Sequence, residues 1–361
     1  MSAGFDAIGN VVGRYEGIGA DVPALLLGSH LDTVEDAGRY DGMLGVVTAI
    51  ICVAELHRAD KRLPFAIEII GFGDEEGVRF GTTMLGSRAL AGTFEPAWLD
   101  RNDARGISMA AALRDFGLDP AAIGSAARRP EDVCAYIELH IEQGPVLESR
   151  DLPVGCVTSI AGATRLVVEV TGEAGHAGTV PMTARRDALT AAAECVLAVE
   201  RRCLAEQGLV GTVGRIGAEP GAINVIPGKA RFSVDIRAPN DTQRECCVTD
   251  LLRELEAICS RRGVRIGADR IHELAAAPCA PWLMDKIDQA IEAIGITPVR
   301  LPSGAGHDAM AMATIADIGM IFVRCAGGVS HNPAESITAE DADIGARVLA
   351  EFIARFEPKP S

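Results

Sequence analysis

His30 and Asp32, then Asp41, then the adjacent Glu75 and Glu76 supply nitrogen and oxygen donors from short segments that follow apolar runs. Donors of this kind suit a metal-dependent hydrolase. The His-x-Asp spacing lets the Asp32 carboxylate orient the His30 ring through one nitrogen while the other faces a cation. Asp41, beside Gly42, opens a helical stretch. Farther on, His140 closes another apolar run and His331 follows the Gly327-Gly328 turn, which completes a set of His30, Asp41, Glu76, His140 and His331. Three imidazoles and two carboxylates suit two divalent ions that share a bridging carboxylate. Without a thiolate the set fits Zn²⁺ or Mn²⁺, with Co²⁺ or Ni²⁺ also compatible. Each residue alone is an ordinary turn former or satisfied polar group, because short motifs have many false positives. Their combination in one chain carries the signal.

The elements that must hold these donors are legible from periodicity. Ala24 to Leu27 reads as a buried strand ending at Gly28-Ser29-His30, and Phe65 to Ile70 as another ending at Gly73-Asp74-Glu75-Glu76. In open α/β sheets ligands bind beyond the carboxyl ends of the strands, so the two segments should converge. The first part of the chain alternates strands at 24–29, 65–72 and 133–141 with helices near 43–59, 82–91 and 108–116. That is the pattern of an α/β sheet covered on both faces. From Thr164 the order becomes strand 164–171, helix 184–206, strands 210–217 and 229–237, helix 241–261 and strand 264–273. This β-α-β-β-α-β order is that of a ferredoxin-like unit. A helix near 282–294, an apolar strand at 318–324 and a terminal helix near 340–355 return to the earlier style. The expected organisation is therefore a catalytic domain made of residues 1–160 and 278–361, with a smaller domain, residues 161–277, inserted in it.

Composition narrows the partners. The chain has 361 residues, 48% of them hydrophobic, enough for two domains and a large core. A formal charge of −16 without a Lys/Arg cluster argues against nucleic acid or an anionic membrane surface as a partner, since counterion release needs a basic surface. No apolar stretch reads as a membrane span, and residues 1–10 lack the basic and apolar regions of a signal peptide, so a cytoplasmic protein is expected. The ten cysteines are scattered and include no Cys-x-x-Cys. They read as reduced, buried small hydrophobes rather than zinc ligands or a disulfide framework. The same holds for Cys325, which follows the apolar run 318–323.

The motifs GSHLDTV at 28–34, YDGMLGV at 40–46, GDEEGVRFG at 73–81, ELHIEQGP at 138–145, GHAGTVPM at 175–182, NVIPG at 224–228, DIRAP at 235–239, SGAGHDA at 303–309 and SHNPAE at 330–335 occur in order along nearly the whole chain. In these the sequence resembles the hydantoinase/carbamoylase family of binuclear metal amidohydrolases, relatives of aminoacylases and metallo-carboxypeptidases. The resemblance implies a zinc-peptidase-like catalytic domain, and a lid and dimerisation role for the inserted domain. It also implies that Asp41 bridges two metals, that His30 and His140 hold one, and that Glu76 and His331 hold the other. Glu75 would be the general base, His176 would stabilise the oxyanion in the same chain or across a homodimer, and Gln143, Asn224, Arg237 and His307 would bind substrate. Helical sequence ahead of the segment matching FDAIGNVVGRYEG is expected of the family, whereas Met1 stands just ahead of Phe5.

The substrate implied is a small carboxylate bearing a ureido group. The stretch EEGVRFGTTMLGSRALAG is most similar to allantoate amidohydrolases. The alternatives are an N-carbamoyl-L-amino-acid hydrolase or a β-ureidopropionase, and behind them a peptidase, an aminoacylase or a non-catalytic carboxylate-binding homologue. Retention of Glu75 beside the five ligands speaks against a binder, which has no use for a base.

Overall fold

The computed structural model describes residues 1–19 and 21–359. The chain divides into two compact units, Met1–Ile160 with Pro278–Ser361, and Ala161–Ala277.

The first unit starts with β1 (Ser2–Phe5) and β2 (Val11–Tyr15), followed by β3 (Ala24–His30), α1 (Met43–Arg58) and β4 (Ala66–Phe72). The short helices α2 (Leu85–Leu90) and α3 (Met109–Phe116) lead to β5 (Val133–Ile141), α4 (Val146–Ser149) and β6 (Val154–Ile160). Strands β4, β3 and β5 are parallel neighbours, and β2 runs antiparallel along β4. Every residue of β3 and β4 is buried, which is why these segments read as continuous apolar runs rather than as alternating ones.

The second unit contains β7 (Gly162–Thr171), β8 (Gly175–His176), α5 (Ala188–Leu204), β9 (Val210–Thr212), β10 (Ile216–Glu219), β11 (Val225–Ile226), β12 (Lys229–Ala238), α6 (Asp241–Arg261) and β13 (Arg265–Leu274). Its antiparallel sheet has the order β10-β12-β7-β13, with β9 also on β12. Alternate residues Leu166, Val168 and Val170 of β7 and Phe232, Val234 and Ile236 of β12 pack with apolar residues of α5 and α6. Helix α5 begins later than periodicity suggests. Pro181 introduces a 3-10 turn over Met182–Ala184, and Asp187 then caps α5 by accepting the Thr190 N–H at 3.0 Å. The single strand expected over 210–217 is broken in two, since the Arg215 N–H turns to the Ser233 hydroxyl at 3.1 Å instead of continuing the ladder.

After the two-residue β14 (Ala277–Pro278) come α7 (Pro281–Ala293), β15 (Arg300–Ser303), α8 (Ala309–Met312), β16 (Ile318–Val323) and α9 (Ala339–Arg355). Strand β16 lies parallel to β5, extending the parallel core, and β6 pairs antiparallel with its other side. The periodicity of the sequence shows β16 but not β6 or β15. On one face of the sheet Leu25, Leu27, Ile67, Ile69, Ile137 and Leu139 pack with α1, α7 and α9. Successive strand residues point to opposite faces, so His30, Tyr136, Glu138 and His140 all project from the other side. No helix among the described residues is long and apolar enough to cross a membrane.

Candidate metal centre

The carboxyl ends of the parallel strands bring the donors together. His30 is the last residue of β3, His140 the penultimate residue of β5, Glu75 and Glu76 follow β4, and His331 follows β16. Asp41 precedes α1 through Gly42, whose φ of 74° is a left-handed conformation. A Cβ on Gly42 would stand 2.5 Å from the His30 ring, so glycine is required there on both counts.

Two groups of possible ligands share Asp41. Donor atoms of His30, Asp41 and His140 lie within 4.8 Å of one another, as do those of Asp41, Glu76 and His331. Asp41 Oδ1 is 3.4 Å from His30 Nε2 and 3.1 Å from His140 Nε2, while Oδ2 is 3.3 Å from His331 Nε2. His331 Nε2 is also 3.3 Å from Glu76 Oε1. Glu75 is buried and joins His30 and Glu76 in a third cluster of the same dimension.

Proton placement tests whether these residues fit a cation. His30 Nδ1 lies 2.8 Å from the Asp32 carbonyl and His140 Nδ1 2.8 Å from the Ile141 carbonyl. A carbonyl only accepts, so Nδ1 of each ring carries a proton, which leaves Nε2 as the nitrogen that can ligate a cation. Those two nitrogens are 3.4 Å apart and both face Asp41 Oδ1. Three buried electron pairs converging in this way fit a metal ion.

The electrostatics lead to the same demand for positive charge. Burial disfavours a charged Asp41, but positive charge placed beside it at His140, His30 and His331 outweighs this and pushes the carboxyl far below its usual range. Asp41 and Glu76 lift His331 to about 10. Burial raises Glu75 well above an ordinary glutamate, and the neighbouring Asp308 adds to the effect.

Three sequence expectations meet a different geometry. The Asp32 carboxylate does not orient the His30 ring. It accepts the Glu75 and Glu76 N–H groups at 3.0 and 3.1 Å, and the ring is held instead by the Asp32 main-chain carbonyl. The left-handed Asp74, with φ 58°, turns the chain so that those two N–H groups face one carboxylate. His307 does not open toward a substrate, since it is 1% exposed, with Nε2 2.7 Å from Ser303 Oγ and its ring edge-on to His140 at 4.5 Å. Gln143 donates to Asp41 Oδ2 at 2.8 Å and so supports the shared carboxylate. Arg237 pairs with Asp235, Nε to Oδ1 at 3.2 Å.

Of the remaining expected residues, His176 and Asn224 are neighbours in the second unit. Strand β8 pairs with β11, and the Asn224 carbonyl accepts the Ala177 N–H at 3.0 Å. His176 is exposed, and its Nδ1 accepts the Gly178 N–H at 3.0 Å, so the neutral ring keeps its proton on Nε2.

Several supporting residues were not singled out from the sequence. Glu138, fully buried, accepts from Ser29 Oγ at 2.9 Å, Tyr136 Oη at 3.1 Å and the Ala309 N–H at 3.0 Å. Ser330 and Glu335 surround Asp41. Their only sequence signal is their place in the SHNPAE stretch beside His331.

The profile of peptidase family M20/M25/M40 matches residues 26–355. The N-carbamoyl-L-amino acid amidohydrolase of Geobacillus stearothermophilus is 44% identical over 344 residues, which are 95% of this chain and 84% of that relative. Allantoate deiminase 2 of Glycine max is 42% identical over 376 residues, 96% of this chain and 77% of that relative. A crystal structure of an amidase of the hydantoinase/carbamoylase family from Burkholderia multivorans superposes with a TM-score of 0.91 at 33% identity, covering 99% of this chain and 87% of that one. These likenesses agree with the resemblance carried by the ordered motifs.

Proposed function

Since the chain belongs to peptidase family M20/M25/M40, we propose that it hydrolyses the ureido C–N bond of allantoate, releasing ammonia and carbon dioxide. The relatives' names make it a hydrolase of carbon-nitrogen bonds other than peptide bonds. The observation that carries the reading is the pair of three-residue donor groups sharing Asp41.

His30, Asp41 and His140 would hold one divalent ion, and Asp41, Glu76 and His331 a second. Bound there, such ions supply charge that acidifies water and polarises a carbonyl. Glu75 takes the proton of the attacking water as its oxygen bonds to the ureido carbon. It returns that proton to the nitrogen as the C–N bond breaks. The buried Glu75 is held in place through its backbone by Asp32. Positive charge at the ligand cluster offsets the burial that raises its pKa, which keeps it able to exchange a proton.

In this reading the second unit is a ferredoxin-like lid that also pairs two copies of the chain, and the reaction is cytoplasmic. The His176 Nε2–H would stabilise the oxyanion. His176→Ala should lower turnover while leaving metal content unchanged. If the histidine serves a neighbouring subunit, mixing His176→Ala with Glu75→Gln chains should restore part of the activity. No recovery after verified subunit exchange would confine it to its own chain.

Arg237, paired with Asp235, would bind the substrate carboxylate through its planar fork, and Asn224 would supply a separate polar contact to substrate. Arg237→Lys should therefore weaken ureido acids far more than their uncharged amides, because an ammonium cannot make the two-point contact. An equal effect on both compounds would remove Arg237 from carboxylate recognition.

The N-carbamoyl-L-amino-acid reading is favoured by the Geobacillus relative and differs in substrate only. Ammonia release from allantoate and from a series of N-carbamoyl-L-amino acids, with Mn²⁺ or Zn²⁺ added, decides between them. Higher kcat/KM for allantoate is expected. A preference for the carbamoyl amino acids would overturn the choice of substrate, and no release from any of them would overturn the reaction.

A further inference from the structure

Asp41 offers its two oxygens to different surroundings. Oδ1 faces the imidazoles of His30 and His140, whereas Oδ2 receives Ser330 Oγ at 2.8 Å and Gln143 Nε2 at 2.8 Å as well as facing His331. Behind Ser330 lies Glu335, 5% exposed, with Oε2 3.0 Å from the serine Oγ, so that the one hydroxyl proton lies between the Asp41 and Glu335 carboxylates. The other oxygen of Glu335, Oε1, accepts the main-chain N–H groups of Tyr40 and Asp41 at 2.9 and 3.1 Å. One buried carboxyl group thus grips the segment that carries Asp41 and, through Ser330, the segment that carries His331.

We infer that Glu335, acting through Ser330, is a positioning residue that fixes Asp41 Oδ2 and His331 relative to each other. In doing so it sets the affinity of the ion bound on the Glu76 and His331 side. The inference rests on the proposal that Asp41 is shared between two ions. Its physical basis is that a carboxylate serving two cations must keep its plane fixed while each oxygen points at a different one. On the Oδ1 side the rings of His30 and His140 are themselves anchored by main-chain carbonyls. On the Oδ2 side His331 has a left-handed backbone, φ 53°, and follows Ser330 directly, so the Ser330–Glu335 contact supplies the corresponding anchor. Partners of metal ligands at this remove commonly contribute about 10–100-fold to metal affinity.

Glu335→Gln keeps an oxygen for the Tyr40 and Asp41 N–H groups and gains an amide that can donate to Ser330. Glu335→Ala leaves both N–H groups without an acceptor. Ser330→Ala removes the link alone. The test is stepwise Mn²⁺ titration of the chelated full-length chain, following both binding steps, with thermal unfolding of the metal-free protein measured in parallel. Ser330→Ala and Glu335→Ala should weaken the second step by about 10-fold or more while changing the first less than about threefold. Glu335→Gln should stay close to the unsubstituted protein. Equal weakening of both steps, or no weakening in Ser330→Ala, would overturn the inference. Asp41→Ala is the control for the underlying reading. If it too leaves both steps intact, the shared-carboxylate proposal fails, whereas its loss of metal beside an unaffected Ser330→Ala sinks the Glu335 role alone.

Discussion

Glu75→Gln should keep both metal ions and lose turnover by about 10²–10⁴-fold, the usual contribution of a positioned acid-base group. Glutamine has nearly the same shape, and the Asp32 carboxylate holds residue 75 by its backbone N–H, so the loop survives the change. The donors that surround Asp41 do not include Glu75. What disappears is a buried ionisable oxygen beside His30 and Glu76, where a proton can be parked between attack on carbon and departure of nitrogen. Metal analysis and steady-state kinetics on the same sample check this. Near-normal turnover with full metal would show that another group carries the proton.

Asp41→Ala should damage metal binding more than loss of any single histidine. Of the two donor groups that contain Asp41, each imidazole belongs to one and Asp41 to both, and its negative charge also screens the repulsion between two cations. The expected loss exceeds the roughly 10–100-fold typical of groups that only support a ligand. Alanine also removes the acceptor that Ser330 Oγ and Gln143 Nε2 share at Asp41 Oδ2. A variant that still binds two ions per chain would show that the carboxylate is not shared.

The parallel core was legible because its strands are buried on both faces and therefore appear as unbroken apolar runs whose ends carry the donors. Strand β6 was not, because Gly155, Thr158 and Ser159 interrupt its apolar run and no alternation takes its place. The donors themselves could be found by residue type and place. Their supports could not, since a hydrogen bond from the Asp41 N–H to Glu335 spans 294 positions and leaves no periodic trace. Asp32 illustrates the same limit. Its spacing from His30 points to the carboxylate as the ring's partner, but residue type cannot tell whether the carboxylate or the main-chain carbonyl takes the ring. His307 looked available to a substrate, and only the packing of Ser303 and His140 around it makes it an interior group.

The most direct test is to strip the chain with a chelator, add Mn²⁺ in steps, and follow bound metal and ammonia release from allantoate together. The account predicts no release without metal and a rise that levels off at two ions per chain. Full activity in the metal-free chain, or a plateau already reached at one ion, would contradict it.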